Sequence, residues 1–122
     1  MLISEAMRAG IKETGPIPPN EDYGATRMYG NGPMGEHLAC ALGAVIVGAV
    51  GWDRAVEISN DAVTTTYSIF PRLGFNPPPS PPNVPPPPND IEWELQNEIC
   101  RLNDACDMSR ESIADWLEKA GL

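Results

Sequence analysis

Apolar residues recur at helical spacing in the first segment of the chain. Between residues 2 and 13, Ile3, Met7 and Ile11 fall on one side of a helix, and charged residues fall elsewhere. Spacings of four place side chains on one helix face, which is typical of an amphipathic helix. A Gly-Pro pair follows at Gly15, and both residue types disfavour helix. The sequence therefore predicts a first helix over residues 2–13.

The segment 37–50 is apolar on nearly every side. A helix with this pattern is buried all round, and its many alanines and glycines keep it thin enough for neighbouring helices to approach closely. A buried strand is the alternative, because Val45, Ile46 and Val47 favour extended backbone. The length and the alanines favour helix. We expect a central, buried, Ala/Gly-rich helix here.

A weaker apolar pattern follows this segment. Asp53 is a favourable N-cap residue and predicts a third helix over about residues 54–63. Residues 63–70, VTTTYSIF, are rich in β-branched side chains. The pattern leaves two possibilities for Val63–Phe70, a short strand or the end of the same helix. Pro71 ends the segment in either case.

Two amphipathic helices are predicted near the C-terminus. The fourth helix covers residues 90–106 with Asn89 or Asp90 as its N-cap, and its apolar stripe consists of Ile91, Leu95, Ile99, Leu102 and Cys106. The fifth helix follows Ser109 as its N-cap and ends near Gly121, and its stripe consists of Ile113, Trp116, Leu117 and Ala120. We expect both stripes to pack against the helix at 37–50.

Two segments rich in glycine and proline separate these helices. Residues 15–36 contain five glycines and four prolines, a density at which no regular element is expected. Residues 76–89 contain nine of the fourteen prolines, which is typical of an extended polyproline II connector. With these two segments on its surface, the chain is expected to form a single all-α domain of about five helices over residues 1–122.

Length and charge limit the classes of function. The 122 residues carry 17 acidic and 8 basic side chains, for a formal charge of −9. Nucleic acids and anionic membranes are bound through lysine and arginine, so a basic-patch nucleic-acid binder and a membrane-surface protein are not expected. The longest uncharged apolar run, residues 38–52, is shorter than a bilayer span.

Three cysteines and one histidine leave little room for metal chemistry. Cys40, Cys100 and Cys106 contain no CxxC pair, and their spacing fits no known zinc pattern. An odd number of thiols cannot pair completely within one chain. We therefore expect reduced thiols, no metal, no cofactor and a cytoplasmic location.

A glycine-rich run precedes the predicted central helix. Residues 30–35, GNGPMG, match the pattern GxGxxG, but no βαβ unit surrounds them, so a flexible turn is the plainer interpretation. Amide groups of a glycine-rich loop at a helix N-terminus can hold phosphate, and tyrosines can stack on a base. The candidate ligand-binding residues are Tyr23, Tyr29, Gly30, Gly32 and Gly35.

His37 and Cys40 form the nucleophile–base pair that local spacing offers. On a helix they would share a face, and a thiol near a helix N-terminus can have a lowered pKa. Packing is the alternative role of Cys40, because cysteine behaves as a small hydrophobic residue. We favour packing and keep the pair as a candidate catalytic site.

The proline segment contains two PxxP spacings, which can dock into aromatic grooves of partner proteins. The candidate partner-binding residues are Pro78, Pro81, Pro82 and Pro85. Such ligands usually carry a flanking basic residue, and Arg72 is the basic residue nearby. We favour a connector that lies on the protein surface.

Four motifs occur in order along the chain: CALGA at 40–44, FPRL at 70–73, LND at 102–104 and SRESIADWLE at 109–118. This series resembles a group of small bacterial and bacteriophage proteins of unknown function, which carry CALGA, an aromatic-Pro-x-Leu step and an LND…SREQIADWVE-like helix. Some members carry a CPxC pair where this chain has its proline segment. The resemblance implies a mostly helical bacterial or phage protein and no activity.

The sequence favours a non-enzymatic accessory protein that acts through protein partners or self-assembly, as a bacteriophage accessory or virion component. It shows no familiar catalytic motif, and its two irregular segments could lie along a partner. One alternative is a protein that binds or sequesters a nucleotide signal through the glycine-rich loop. The other is a thiol enzyme that uses Cys40 and His37.

Overall fold

The computed structural model describes residues 1–17, 28–58, 67–87 and 93–122, which are mostly helical with one two-stranded sheet. The elements are α1 (Ile3–Glu13), β1 (Tyr29–Asn31), β2 (His37–Ala39), α2 (Ala41–Val50), α3 (Trp52–Ile58), a 3-10 helix (Pro71–Gly74), α4 (Leu95–Asp104) and α5 (Arg110–Lys119). The helical class agrees with the sequence prediction, and the sheet was not predicted.

α1 and α2 pack backbone to backbone. A Cβ atom on Gly10 would lie 1.8 Å from the carbonyl oxygen of Ala44, and one on Gly48 would lie 1.7 Å from that of Ala6. Each helix therefore carries an alanine and a glycine four residues apart, on the face that meets the other helix. Since Gly10 meets Ala44 and Gly48 meets Ala6, the two helices run antiparallel.

α2 begins at Ala41, four residues later than predicted, because residues 37–39 form a strand. Its first seven residues are buried. Cys40 is the N-cap, and its sulfur accepts a hydrogen bond from the Gly43 amide at 3.3 Å. Gly51 ends the helix with φ 87°, a left-handed conformation that favours glycine.

α3 also differs from its predicted bounds. It begins at Trp52, so Asp53 lies in the first turn rather than at the N-cap. Within the described residues it ends at Ile58, and the predicted continuation to residue 63 lies outside them. The same is true of residues 63–66 in the ambiguous VTTTYSIF segment, whereas residues 67–69 are helical.

The two C-terminal helices present most of the apolar faces that their spacing predicts, but Trp116 and Cys106 are half-buried, Ala120 is exposed, and Ile91 lies outside the described residues. Leu95, Ile99 and Leu102 of α4 are buried, as are Ile113 and Leu117 of α5. α4 packs against α2, whereas α5 shares the core cluster of α2 but packs mainly against α1, so the predicted docking on the central segment applies chiefly to α4.

The sequence predicted the N-cap of α5 correctly but not that of α4. Ser109 caps α5 as predicted, accepting a hydrogen bond from the Ser112 amide at 3.1 Å, and Gly121 has φ 75°. α4 begins at Leu95 rather than at residue 90, with Glu94 as N-cap, and it ends at Asp104 rather than at residue 106. The predicted caps at residues 89 and 90 lie outside the described residues.

The prediction of no regular element between residues 15 and 36 was wrong. β1 pairs antiparallel with β2, and Leu38 at the middle of β2 is buried. Gly15 pairs with the other edge of β2: its amide donates to the His37 oxygen at 2.8 Å, and its oxygen accepts from the Ala39 amide at 2.9 Å. Backbone pairing thus overrides the unfavourable composition, because it satisfies amides close to the core.

Candidate functional site

The turn between β1 and β2 is held by three hydrogen bonds. The Gly32 amide donates to the Glu36 main-chain oxygen at 2.8 Å, and the Gly35 amide donates to the Gly32 oxygen at 3.0 Å. The carboxylate of Glu36 accepts a third hydrogen bond from the Met34 amide at 2.9 Å. Gly35 has φ 80°, which side chains rarely tolerate. The turn therefore has a defined conformation.

This turn exposes an apolar side chain. Met34 is 93% exposed, although its own amide is fixed by the Glu36 carboxylate. A side chain in that position contributes almost no burial to the stability of the fold. Methionine is flexible and polarisable, and it is common on surfaces that bind apolar partners. Met34 is thus the most conspicuous apolar group of the hairpin.

An aromatic cluster lies at the base of the same hairpin. The imidazole of His37 on β2 stacks on the indole of Trp52, with ring centroids 4.0 Å apart and an interplanar angle of 5°. Tyr29 on β1 meets the same indole edge-on, at 5.6 Å and 83°. Burial raises the pKa of the Tyr29 hydroxyl. The cluster ties both strands to the first residue of α3.

The predicted ligand-binding residues do not form a phosphate-binding loop. Gly30 is in β1, and Gly32 and Gly35 are in the hairpin turn, whereas the next helix starts only at residue 41. The Glu36 carboxylate accepts the hydrogen bond of the Met34 amide, so this donor is not free to bind an anion. Tyr29 packs against Trp52, and Tyr23 lies outside the described residues.

The structure separates the roles of His37 and Cys40. His37 is on a strand and stacks on Trp52, so the two residues do not share a helix face. Burial raises the pKa of the Cys40 thiol to about 11, and the negative charge of Asp104 adds to the shift. The Gly43 amide opposes the shift only in part. A thiol with this pKa is protonated at neutral pH, which disfavours nucleophilic attack.

The proline segment is attached to the C-terminal helices. Trp116 donates its indole N–H to the Pro79 oxygen at 2.9 Å, and the Ser80 hydroxyl donates to buried Glu98 at 3.4 Å. Asn83 has φ 66°, so a turn interrupts the predicted polyproline helix. Among the candidate residues, Pro78 and Pro81 are half-buried, and Pro82 and Pro85 are exposed.

Three of the four sequence motifs meet at the start of α2. Asn103 of LND accepts a hydrogen bond from the Ala41 amide of CALGA at 3.0 Å. The Arg110 guanidinium, from the SRE step, donates to the Ala39 oxygen at 3.3 Å and to the hydroxyl and main-chain oxygens of Thr14, each at 2.9 Å. Arg110 is buried, and burial lowers the pKa of its guanidinium. These contacts join separate elements and give the motifs a structural role.

The remaining motif, FPRL, borders an apolar pocket that sequence analysis did not identify. Phe70, Pro71 and Arg72 line it together with residues near both ends of the chain. No local spacing could have revealed this site, because it forms only when segments about 70 and 120 residues apart meet. The one available signal was an arginine within an otherwise apolar segment.

Within the described ranges, no three side chains of histidine, cysteine, aspartate or glutamate lie close enough together to hold a metal ion. The helices of those ranges are also too short or too polar to cross a bilayer. Comparison with known proteins finds no matching family model, no similar curated protein and no similar solved structure.

Proposed function

We propose that this chain is a non-enzymatic accessory protein that binds a partner protein through the tip of the β1–β2 hairpin. The observation that carries the proposal is Met34, which is 93% exposed on a turn held by three hydrogen bonds. Loops that a rigid scaffold holds in place often carry binding residues, and the three hydrogen bonds hold Met34 in one position, where a partner would bury its side chain.

The hairpin is also anchored to the rest of the fold. His37 stacks on Trp52, and Gly15 pairs along the outer edge of β2. A tip that is already ordered loses little conformational entropy when it binds, which favours affinity. The partner we expect offers an apolar pocket that accepts one methionine side chain.

The biological setting rests on different support. The motif series resembles small bacterial and bacteriophage proteins, and this likeness favours an accessory or virion component in a bacterial cytoplasm. The nucleotide-binding alternative has weaker support, because the Glu36 carboxylate faces the amide that an anion would use. The thiol-enzyme alternative is disfavoured by the raised pKa of Cys40.

The proposal is tested by selecting binders of the whole protein from a displayed library and ranking them on variants. We expect Met34→Ser to weaken most selected binders by roughly 10- to 100-fold, the effect of losing one buried methionine side chain. Met34→Leu keeps an apolar side chain and should retain most of the affinity.

Phe75→Ser is the matched control, because Phe75 is also apolar and 65% exposed but lies outside the hairpin. Binders that tolerate Met34→Ser and lose affinity with Phe75→Ser would contradict the proposal. A selection that returns no binder of the hairpin tip would contradict it as well.

A further inference from the structure

A small apolar pocket lies between the start of α1 and the 3-10 helix. It has a volume of about 150 Å³ and is partly open to solvent. Its walls include Leu2, Ile3, Ile69, Phe70, Arg72 and Leu122. Ile3, Phe70 and Leu122 are themselves buried, so the wall that they form is fixed by the core.

Arg72 supplies the one guanidinium of this lining. Its neighbours hold its backbone in place. Pro71 has a restricted φ angle, and the side chain of Leu73 is completely buried in the core. The guanidinium is exposed and donates one hydrogen bond, to the Gly121 oxygen at 3.3 Å. The main-chain oxygen of Leu122 is bound to the Ser4 amide at 3.2 Å and is thus engaged with α1.

The other arginines of the described segments differ from Arg72 in their partners. Arg8 pairs with two carboxylates of α5, Arg54 pairs with Glu57, and Arg101 pairs with Glu98. Arg110 is buried against neutral oxygen atoms. In the described part of this acidic chain, Arg72 is the arginine that is exposed without an ion pair.

We propose that the pocket binds a small apolar monocarboxylate: one aromatic ring or branched carbon chain in the pocket, and one carboxylate on Arg72. An apolar cavity of about 150 Å³ is large enough for a benzene ring. A guanidinium matches a carboxylate through two parallel hydrogen bonds. A single arginine in the lining of the pocket favours a ligand with one negative charge over the several charges of a nucleotide, because the chain as a whole carries a formal charge of −9.

The site is independent of the hairpin, and it is tested on the full chain by NMR titration with benzoate, benzyl alcohol and benzylamine. We expect benzoate to shift the amides of Ile3, Ile69 and Arg72 and to bind about 10-fold more tightly than benzyl alcohol. Benzylamine should bind more weakly than either. Comparable binding of all three compounds, no binding of benzoate at 10 mM, or shifts confined to another surface would overturn the proposal.

Two matched variants test whether Arg72 binds the carboxylate of benzoate. Arg72→Gln is expected to remove the 10-fold preference for benzoate while benzyl alcohol still binds, because the apolar walls remain. Arg54→Gln removes an exposed arginine outside the pocket and should leave the benzoate affinity unchanged. An equal loss of benzoate binding in both variants would show a general charge effect and contradict the assigned site.

Discussion

Cys40 shows how one side chain can stabilise the fold through a role that its reactivity would not suggest. Its sulfur accepts the Gly43 amide and so satisfies a donor at the start of α2. The same burial that favours this contact raises the pKa of the thiol from 9.0 to about 11. The native state therefore holds the thiol proton more tightly than the unfolded chain does.

The pH dependence of stability follows from that difference. The contribution of the protonated Cys40 thiol to the free energy of unfolding is fully present below pH 9 and is lost as the pH rises from about 9 to 11. In that range the thiol loses its proton in the unfolded chain but keeps it in the folded protein. Cys40→Ser cannot lose a proton there, so its melting temperature should fall less than that of the wild type between pH 9 and 11.

At pH 7 the two proteins should differ by no more than about 1 kcal/mol, since serine is also a good N-cap. Part of the alkaline loss should remain in the variant, because burial raises the pKa of Cys100 to about 12. If the melting temperatures of the two proteins fell equally between pH 9 and 11, the alkaline loss of stability would not come from Cys40. Thermal unfolding followed by circular dichroism measures both effects.

Sequence predicted single residues well where the signal is local. Ser109 was identified as a cap and Gly121 as a C-terminal glycine because both act within one turn of their own helix. Arg110 was not identified as buried, because its oxygen partners Thr14 and Ala39 are distant in sequence. A charged residue is expected on the surface unless tertiary contacts satisfy its donors.

At the scale of elements, the antiparallel pair of α1 and α2 depends on two glycines. Gly10 and Gly48 allow each helix to touch a backbone oxygen of the other. The sequence predicted that small residues keep the central helix thin. It did not predict that α1 is the matching partner, because the complementary alanine–glycine spacing is meaningful only once the two helices are paired.

Gly48→Ala tests this pairing. In an isolated helix the change would stabilise by about 1 kcal/mol. Here the new methyl group would lie 1.7 Å from the Ala6 oxygen, so the helices must separate. We expect a loss of about 3 kcal/mol or more in the free energy of unfolding, the upper range for overpacking, as measured by urea denaturation.

Gly10→Ala at the second crossing should act in the same direction, since its methyl group would lie 1.8 Å from the Ala44 oxygen. The double variant should lose less than the sum of the single losses, because helices that have already separated accommodate the second methyl group. A stabilised Gly48→Ala protein would contradict the close contact.

The hairpin shows why elements of low propensity escape prediction. Glycine and proline dominate residues 15–36, and local preference alone favours an irregular loop. What forms the strands is pairing between Tyr29–Asn31 and His37–Ala39, anchored by Leu38 in the core and by Trp52 on α3. The pairing itself is local, but its anchors, the core around Leu38 and Trp52 of α3, lie outside residues 15–36, so local preference within that segment does not include them.

For the whole molecule, the two candidate surfaces have opposite shapes. The hairpin projects one methionine, whereas the pocket beside Arg72 is a small concavity. The core and most helix faces followed from the periodicity of apolar residues. The pocket depends on segments that meet only in the folded chain, so no sequence pattern indicated it. The hairpin tip lies within the glycine-rich run that the sequence indicated, but as a binding site for phosphate rather than for a protein.

Partner binding through the hairpin requires above all that its tip be ordered while Met34 is exposed. Backbone ¹⁵N relaxation of the free protein measures this. We predict heteronuclear NOE values for the amides of Gly32, Met34 and Gly35 that equal those of α2, because all three amides are hydrogen bonded within the turn. Values far below those of α2 would mean that Met34 is exposed only because the tip is loose, and they would contradict the proposal that the hairpin is a built binding surface.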